Sequence, residues 1–215
     1  MHDRPRKNDR WREEIIKPQG YATRREGTAV AAEGRIRNQG KEWGMAGAVR
    51  GVVLVGHGGI AKDCPAELVS KLKRLEAQRR AARMPPSAEE QELDTKIRRW
   101  PRTDATDPYR AGLEAVGAAL RPLLNGALFA LAYNEFCAPT VEEAIEDLVS
   151  RGATEIVVAT TMLTPGGSHS EIEIPEILHG VRARHPKIVI EYAWPFAPST
   201  IAEILHKQVR RFMTD

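Results

Sequence analysis

The chain of 215 residues has only two cysteines, Cys64 and Cys137. Two thiols close at most one bridge, which excludes a disulfide-stapled secreted scaffold and leaves free thiols in a cytoplasmic protein as the expectation. Also missing is any apolar run approaching the length needed to span a bilayer, so no membrane helix is expected. Residues 1–44 contain no apolar central region of the kind that marks a secretory signal. The glycine-rich stretch GVVLVGHGG at 51–59 has neither GxGxxG spacing nor a GK[ST] ending. It is therefore no dinucleotide fingerprint and no P-loop, and no nucleotide cofactor is expected.

A basic surface is lacking as well, despite a pI near 8.9. Of 32 Lys+Arg and 29 Asp+Glu, residues 1–44 carry 11 and 7, which leaves 21 against 22 for residues 45–215. The excess positive charge belongs to the N-terminal stretch, and nucleic acid is not an expected partner. That stretch mixes Arg, Lys, Glu, Gly and Gln without periodicity and reads as a disordered basic extension. Met45 lies a few residues before the first strand, so a start site placed too far upstream is a second reading. Residues 45–215 are expected to form a single domain, because a hydrophobic fraction of 42% suffices for a core.

What is present is an alternation of short β-branched runs with helical patterns. GVVLVGHGG reads as a strand running into a glycine turn, with His57 at the turn. This histidine reads either as a turn residue bonded locally or as a metal ligand or base. Residues 64–83 have apolar positions at helical spacing; a second helix follows Ser87 and runs to about Arg99. A loop at 100–109 leads to a third helix over 110–124. This region, about 64–110, is long for one crossover and reads as a helical insertion near the mouth of a site. Its arginines Arg98, Arg99, Arg102 and Arg110, beside Trp100 and Tyr109, form either a solvated basic face or a clamp for an anionic ligand.

Residues 127–140, ALFALAYNEFCAPT, read as a second buried strand that ends in Asn134 and Glu135. Glu135 is either a cap or ion-pair partner, or part of a site, since a buried unpaired carboxylate is costly. Cys137 reads as a small buried filler. A helix to Arg151 follows, then EIVVAT as a third strand. After it comes TTMLTPGGSHSEIEIP, which carries Gly166, Gly167, His169, Glu171 and Glu173 on a loop, with Pro175 in the first turn of the next helix. KIVIEYAWPF is a fourth strand, and an amphipathic helix over 198–212 ends the pattern.

Strands alternating with helices imply parallel pairing and right-handed crossovers. The fold class is therefore α/β, a four-stranded parallel, flavodoxin-like sheet with a helical insertion after strand 1. His57, Glu135 and His169 then all follow strands at one sheet edge, where ligands of such sheets bind. Two imidazoles and a carboxylate suit a divalent ion such as Fe, Co, Ni or Zn.

LVGHG, NEFCAP, TVEEAIEDLVSRGATEIVVA and GGSHSEIEIP resemble the short CbiX-type sirohydrochlorin chelatases, over residues 51–62 and 126–205. These are class II, ATP-independent enzymes of cobalamin and siroheme biosynthesis that insert Co(II), Fe(II) or Ni(II) into a tetrapyrrole. The resemblance implies a metal lyase in which His57 and His169 bind the metal and Glu135 completes the site or accepts protons. Glu173 stands where the family has an aspartate, and Glu171 or Glu173 is expected to orient an imidazole. Arg98, Arg99, Arg102 and Arg110 would hold the carboxylates of the tetrapyrrole, with Gly166 and Gly167 also at its binding site. A homodimer is implied, because short members carry one half-domain. A non-catalytic metal-delivery or tetrapyrrole-binding protein is the competing reading, and a metal-dependent hydrolase ranks last.

Overall fold

The computed structural model describes residues 47–213; the expected N-terminal extension lies outside them. The first strand, β1 (Arg50–Gly56), is apolar almost throughout, and both its faces are covered. That is the pattern of a central parallel strand. It pairs in parallel with β2 (Leu128–Tyr133) on one side and with β3 (Glu155–Thr160) on the other. β4 (Val189–Tyr192) adds to β3, giving the order β2-β1-β3-β4. This is the expected four-stranded flavodoxin-like order. The chain leaves β1 towards β2, then returns past it to β3, so the switch point lies between β1 and β3.

Between β1 and β2 come three helices, α1 (Ala66–Ala82), α2 (Ala88–Arg98) and α3 (Pro108–Leu120). Ser87 caps α2 by accepting from the Glu90 amide, and Asp107 caps α3 by accepting from the Arg110 amide. α3 starts two residues earlier than expected, because Pro108 takes the first-turn position where its missing N–H costs nothing. Tyr109 thereby leaves the expected loop and joins a helix. The α-helix also stops earlier, at Leu120, and a 3-10 turn covers Arg121–Leu124. Pro122 has no N–H to continue an α-helical ladder.

The second strand is shorter than the expected 127–140. After Tyr133 the chain folds back, so that the Tyr133 amide donates to Pro139 O at 2.9 Å, with Phe136 at a φ of 54°. α4 (Val141–Ser150) then begins with a capping box between Thr140 and Glu143. The third crossover ends in α5 (Ile174–Arg184), and α6 (Pro198–Arg210) follows β4. The expected fourth strand is likewise cut to four residues, and Trp194-Pro195-Phe196 lies beyond it.

Side chains alternate along β1. Val53 and Val55 face α4 and α5 in a core with Ile145, Leu148, Ile156 and Leu178, all fully buried. Leu54 faces the other way, with Leu113 of α3, Tyr133 and Cys137. A third cluster, including Leu72, Leu93 and Ile97, holds α1 and α2 together. α6 contributes no buried residue. Among the described residues no helix is long and apolar enough to cross a membrane.

Leu148 lies at the centre of the larger core, packed against α4's neighbours and over Gly51. Leu148→Ala is expected to lower the unfolding free energy by about 2–5 kcal/mol in urea titration followed by circular dichroism. A loss well under about 1 kcal/mol would contradict that placement.

Candidate metal centre

β1 delivers His57 one residue past its last ladder position, and the following glycine sets how close the next loop can come. Gly58 has a φ of +94°, and a Cβ there would lie 1.8 Å from Glu135 O. Only a residue without a side chain permits this approach. The two loops are then stitched together: the Asn134 amide donates to Gly56 O at 2.9 Å and the Glu135 amide to His57 O at 2.8 Å. The His57 amide donates to Tyr109 Oη at 2.6 Å, which ties the β1 loop to the first turn of α3.

His169 arrives from the other side of the switch point, and not on a loop as expected. It opens a π-helical turn, His169–Glu173, in which the Ile174 amide reaches five residues back to His169 O. Pro175 offers no N–H to close a regular turn onto Glu171, and the wider turn precedes it. The turn places Glu173 over His169, with the carboxylate 2.9 Å from Nδ1. Asn134, almost fully buried, puts Nδ2 2.9 Å from the same carboxylate oxygen. Burial pushes the Glu173 pKa up, but the bonds from His169 and Asn134 outweigh it and hold the carboxyl below its usual range. Glu173 is therefore a charged acceptor at neutral pH.

This network sets the tautomers. His169 Nδ1 lies 2.9 Å from both Glu173 Oε2 and Asn134 Nδ2; the charged carboxylate is an acceptor only, so Nδ1 carries the proton and donates to it, and His57 Nδ1 likewise donates to Gly58 O at 2.8 Å. Both Nε2 lone pairs are left for another partner. The rings meet edge to face with centroids 4.7 Å apart. Glu135 Oε1 is 4.0 Å from His169 Nε2, and the donor atoms of His57, Glu135 and His169 all lie within 4.8 Å of one another. All three side chains are half-buried. An imidazole backed by a carboxylate is the usual arrangement behind a metal-ligating histidine.

Beside the trio opens a cleft of about 320 Å³. Asn134, Glu135 and Glu173 line its inner side, and Glu76, Arg80 and Arg98 of the insertion line the outer. Burial raises the Glu76 pKa; Arg80 opposes the rise and Glu135 adds to it.

Other expected site residues are placed differently. The Arg102 side chain is 2% exposed and cannot reach a ligand; its guanidinium is spent on the Asp107 carboxylate and on backbone carbonyls. Arg99 pairs with Glu143 and Arg110 with Glu114, and neither lines the cleft. Arg98 does line it, but is bound to Asp94 and to the carbonyls of Asn134 and Cys137. The expected clamp of four arginines is thus not built. Glu171 accepts from the Gly166 amide at 2.8 Å and shapes the loop instead of orienting an imidazole. Gly166 takes a φ of +96° in that loop, and Gly167 O accepts from Ser170. Asn134 and Tyr109 were named in the sequence only as the neighbours of Glu135 and of the arginine cluster; nothing there marked Asn134 as a partner of Glu173 or Tyr109 as a partner of the His57 amide.

The fold and the donor set define a class: a parallel α/β domain with two imidazoles and a carboxylate converging at its switch point. The CbiX family model matches residues 104–212, half of the chain, and includes Glu135 and His169. The chain belongs to the CbiX family. It is 29% identical over 82 residues to the sirohydrochlorin ferrochelatase of Priestia megaterium, covering 38% of this chain and 30% of that protein. The sirohydrochlorin cobaltochelatase of the same organism is 36% identical over 61 residues, 28% of this chain and 20% of that one. The matches thus span less than a third of either relative's length. Among solved structures, the sirohydrochlorin chelatase SirB from Bacillus subtilis subspecies spizizenii in complex with cobalt aligns with a TM-score of 0.41 at 22% identity. That alignment covers 68% of this chain and 43% of the other. A putative cobalamin biosynthesis CbiX protein from Marinobacter aquaeolei VT8 aligns at 0.40 and 15%, over 75% and 98%.

Glu173→Gln leaves a hydrogen-bonding side chain in place but removes the charge behind His169. Co(II) affinity, followed by titration of the protein's visible absorption, is expected to fall about 10–100-fold. An unchanged affinity would show that the carboxylate does not support the imidazole.

Proposed function

We propose that this chain catalyses ATP-independent insertion of a divalent metal, Co(II), Fe(II) or Ni(II), into sirohydrochlorin or a related tetrapyrrole, as a step of cobalamin or siroheme biosynthesis. The observation that carries this reading is the convergence of His57, Glu135 and His169, with free Nε2 positions, beside an open cleft. Insertion is an exchange in which the ion enters the macrocycle and two pyrrolic protons leave. A donor must hold the ion firmly enough to orient it and loosely enough to give it up. Two neutral imidazoles and one carboxylate do this better than a closed thiolate cage, because coordination positions stay open for ring nitrogens. The metal is the substrate here.

His57 and His169 present the ion through Nε2. Glu173 fixes the ring of His169, and Gly58 O fixes that of His57. Glu135, on the cleft side, completes the coordination or accepts a pyrrolic proton as the ion departs. The setting we infer is cytoplasmic, in keeping with two free, buried thiols.

We also propose a homodimer. α6 buries nothing, yet Ile204, Leu205 and Val209 on it, and Phe212 just beyond its end, are all more than half exposed. Such exposed apolar residues support packing by a second copy. Light scattering is expected to give twice the chain mass, and Leu205→Glu to shift it to monomer; a monomeric parent protein would refute the pairing.

The activity is tested by mixing the protein with sirohydrochlorin and Co(II) or Fe(II) and following the macrocycle's absorbance. Acceleration over the spontaneous rate that disappears in His169→Ala is the expected result. Metal binding without acceleration would favour a delivery protein, and an unchanged rate in a folded His169→Ala would refute the site.

A further inference from the structure

The arginine set aside as buried has the most connected side chain around the site. Arg102 lies in the loop between α2 and α3, and its side chain and that of Asp107 are each 2% exposed. Nη1 donates to the Asp107 carboxylate and, at 2.8 Å, to Gly59 O, two residues beyond His57. Nη2 donates to Phe136 O, one residue beyond Glu135, and at 3.2 Å to Ile97 O near the end of α2. One guanidinium therefore joins the loop after β1, the loop after β2, the C-terminal turn of α2 and, through Asp107, the start of α3. Its neighbours repeat the pattern. Arg98 Nη2 donates to Asn134 O at 3.1 Å, Tyr109 Oη accepts from the His57 amide, and the Lys62 amide donates to Thr106 O at 2.9 Å.

Burying a guanidinium and a carboxylate together is costly, the more so here because Arg102 Nε is buried without a partner, and mere cohesion of the insertion is served by its own apolar cluster. The carbonyls that Arg102 holds belong to the two loops that carry His57 and Glu135. We infer that Arg102 is a positioning residue: it locks the β1 and β2 loops in register so that His57 and Glu135 stand at fixed distance from His169. This rests on the metal-site reading above. On it, the helical insertion is the frame of the donor trio, with the planar, forked arginine head as the tie. A lysine ammonium, a single point charge, cannot span both loops.

Removal of one charge alone would leave its partner buried and unpaired, so the informative variant is the double Arg102→Met/Asp107→Asn, in which the asparagine oxygen keeps the cap on α3 while both charges are gone. Arg102→Lys, which keeps the charge opposite Asp107, is the second variant. Two readouts are taken on the full chain: nuclear Overhauser contacts between the His57 and His169 ring protons without metal, and the Kd and visible spectrum with Co(II). Both variants are expected to stay folded by circular dichroism, to lose or weaken the ring contact, and to bind Co(II) at least about tenfold more weakly with an altered spectrum. A folded variant that keeps the ring contact and the Co(II) spectrum would overturn the inference. The ring contact is independent of metal. Should the parent protein bind no Co(II), the metal reading fails while the contact still decides whether Arg102 positions the rings.

Discussion

Parallel pairing on both sides of β1 is the constraint from which the rest of the structure follows. Because β1 is matched to β2 and β3 in the same direction, all three strands end at one edge. Because the chain goes first to β2 and then back past β1, the loops after β1 and β3 diverge and leave a gap between them. His57 and His169 stand on either side of that gap, and Glu135 closes it from the β2 loop. The close approach at Gly58, where no side chain fits, holds the His57 and Glu135 loops together opposite the π-helical turn that carries His169.

Around this edge the charged residues act mostly on the protein itself. Glu173 holds a ring and Glu171 a glycine amide, while Arg98 and Arg102 hold carbonyls. The common cause is that loops ending buried strands carry backbone groups with no ladder partner, and such groups need donors or acceptors when water is excluded. A long insertion rich in arginine meets that need for two loops at once. Its outer helices then become the far wall of the cleft, so the same segment frames the trio and bounds the space beside it.

The order of strands and helices was legible because apolar runs and helical spacing persist over many residues. Where a single residue decides the path, the sequence pattern misled. ALFALAYNEFCAPT is apolar enough to read as one long strand, yet the backbone turns at Phe136 and only Leu128–Tyr133 pairs. Pro175 in a first turn was legible, but not the π turn ahead of it, which depends on where His169 and Glu173 meet. The arginines were the largest misreading. Their composition was the same for a solvated face, a ligand clamp or a set of internal ties, and only burial tells these apart.

Read alone, the sequence determined the fold class, the parallel sheet, and the arrival of His57, Glu135 and His169 at one edge, since β-branched runs, glycine turns and helical periodicity are local properties. The tertiary structure decided which nitrogen each histidine leaves free, that Glu173 and not Glu171 backs a ring, and that Arg102 is sealed inside. Those outcomes depend on distances between residues far apart in the chain, such as Asn134 and Glu173 or Arg102 and Phe136. Nothing in local spacing records them, because hydrogen-bond partners are chosen by packing.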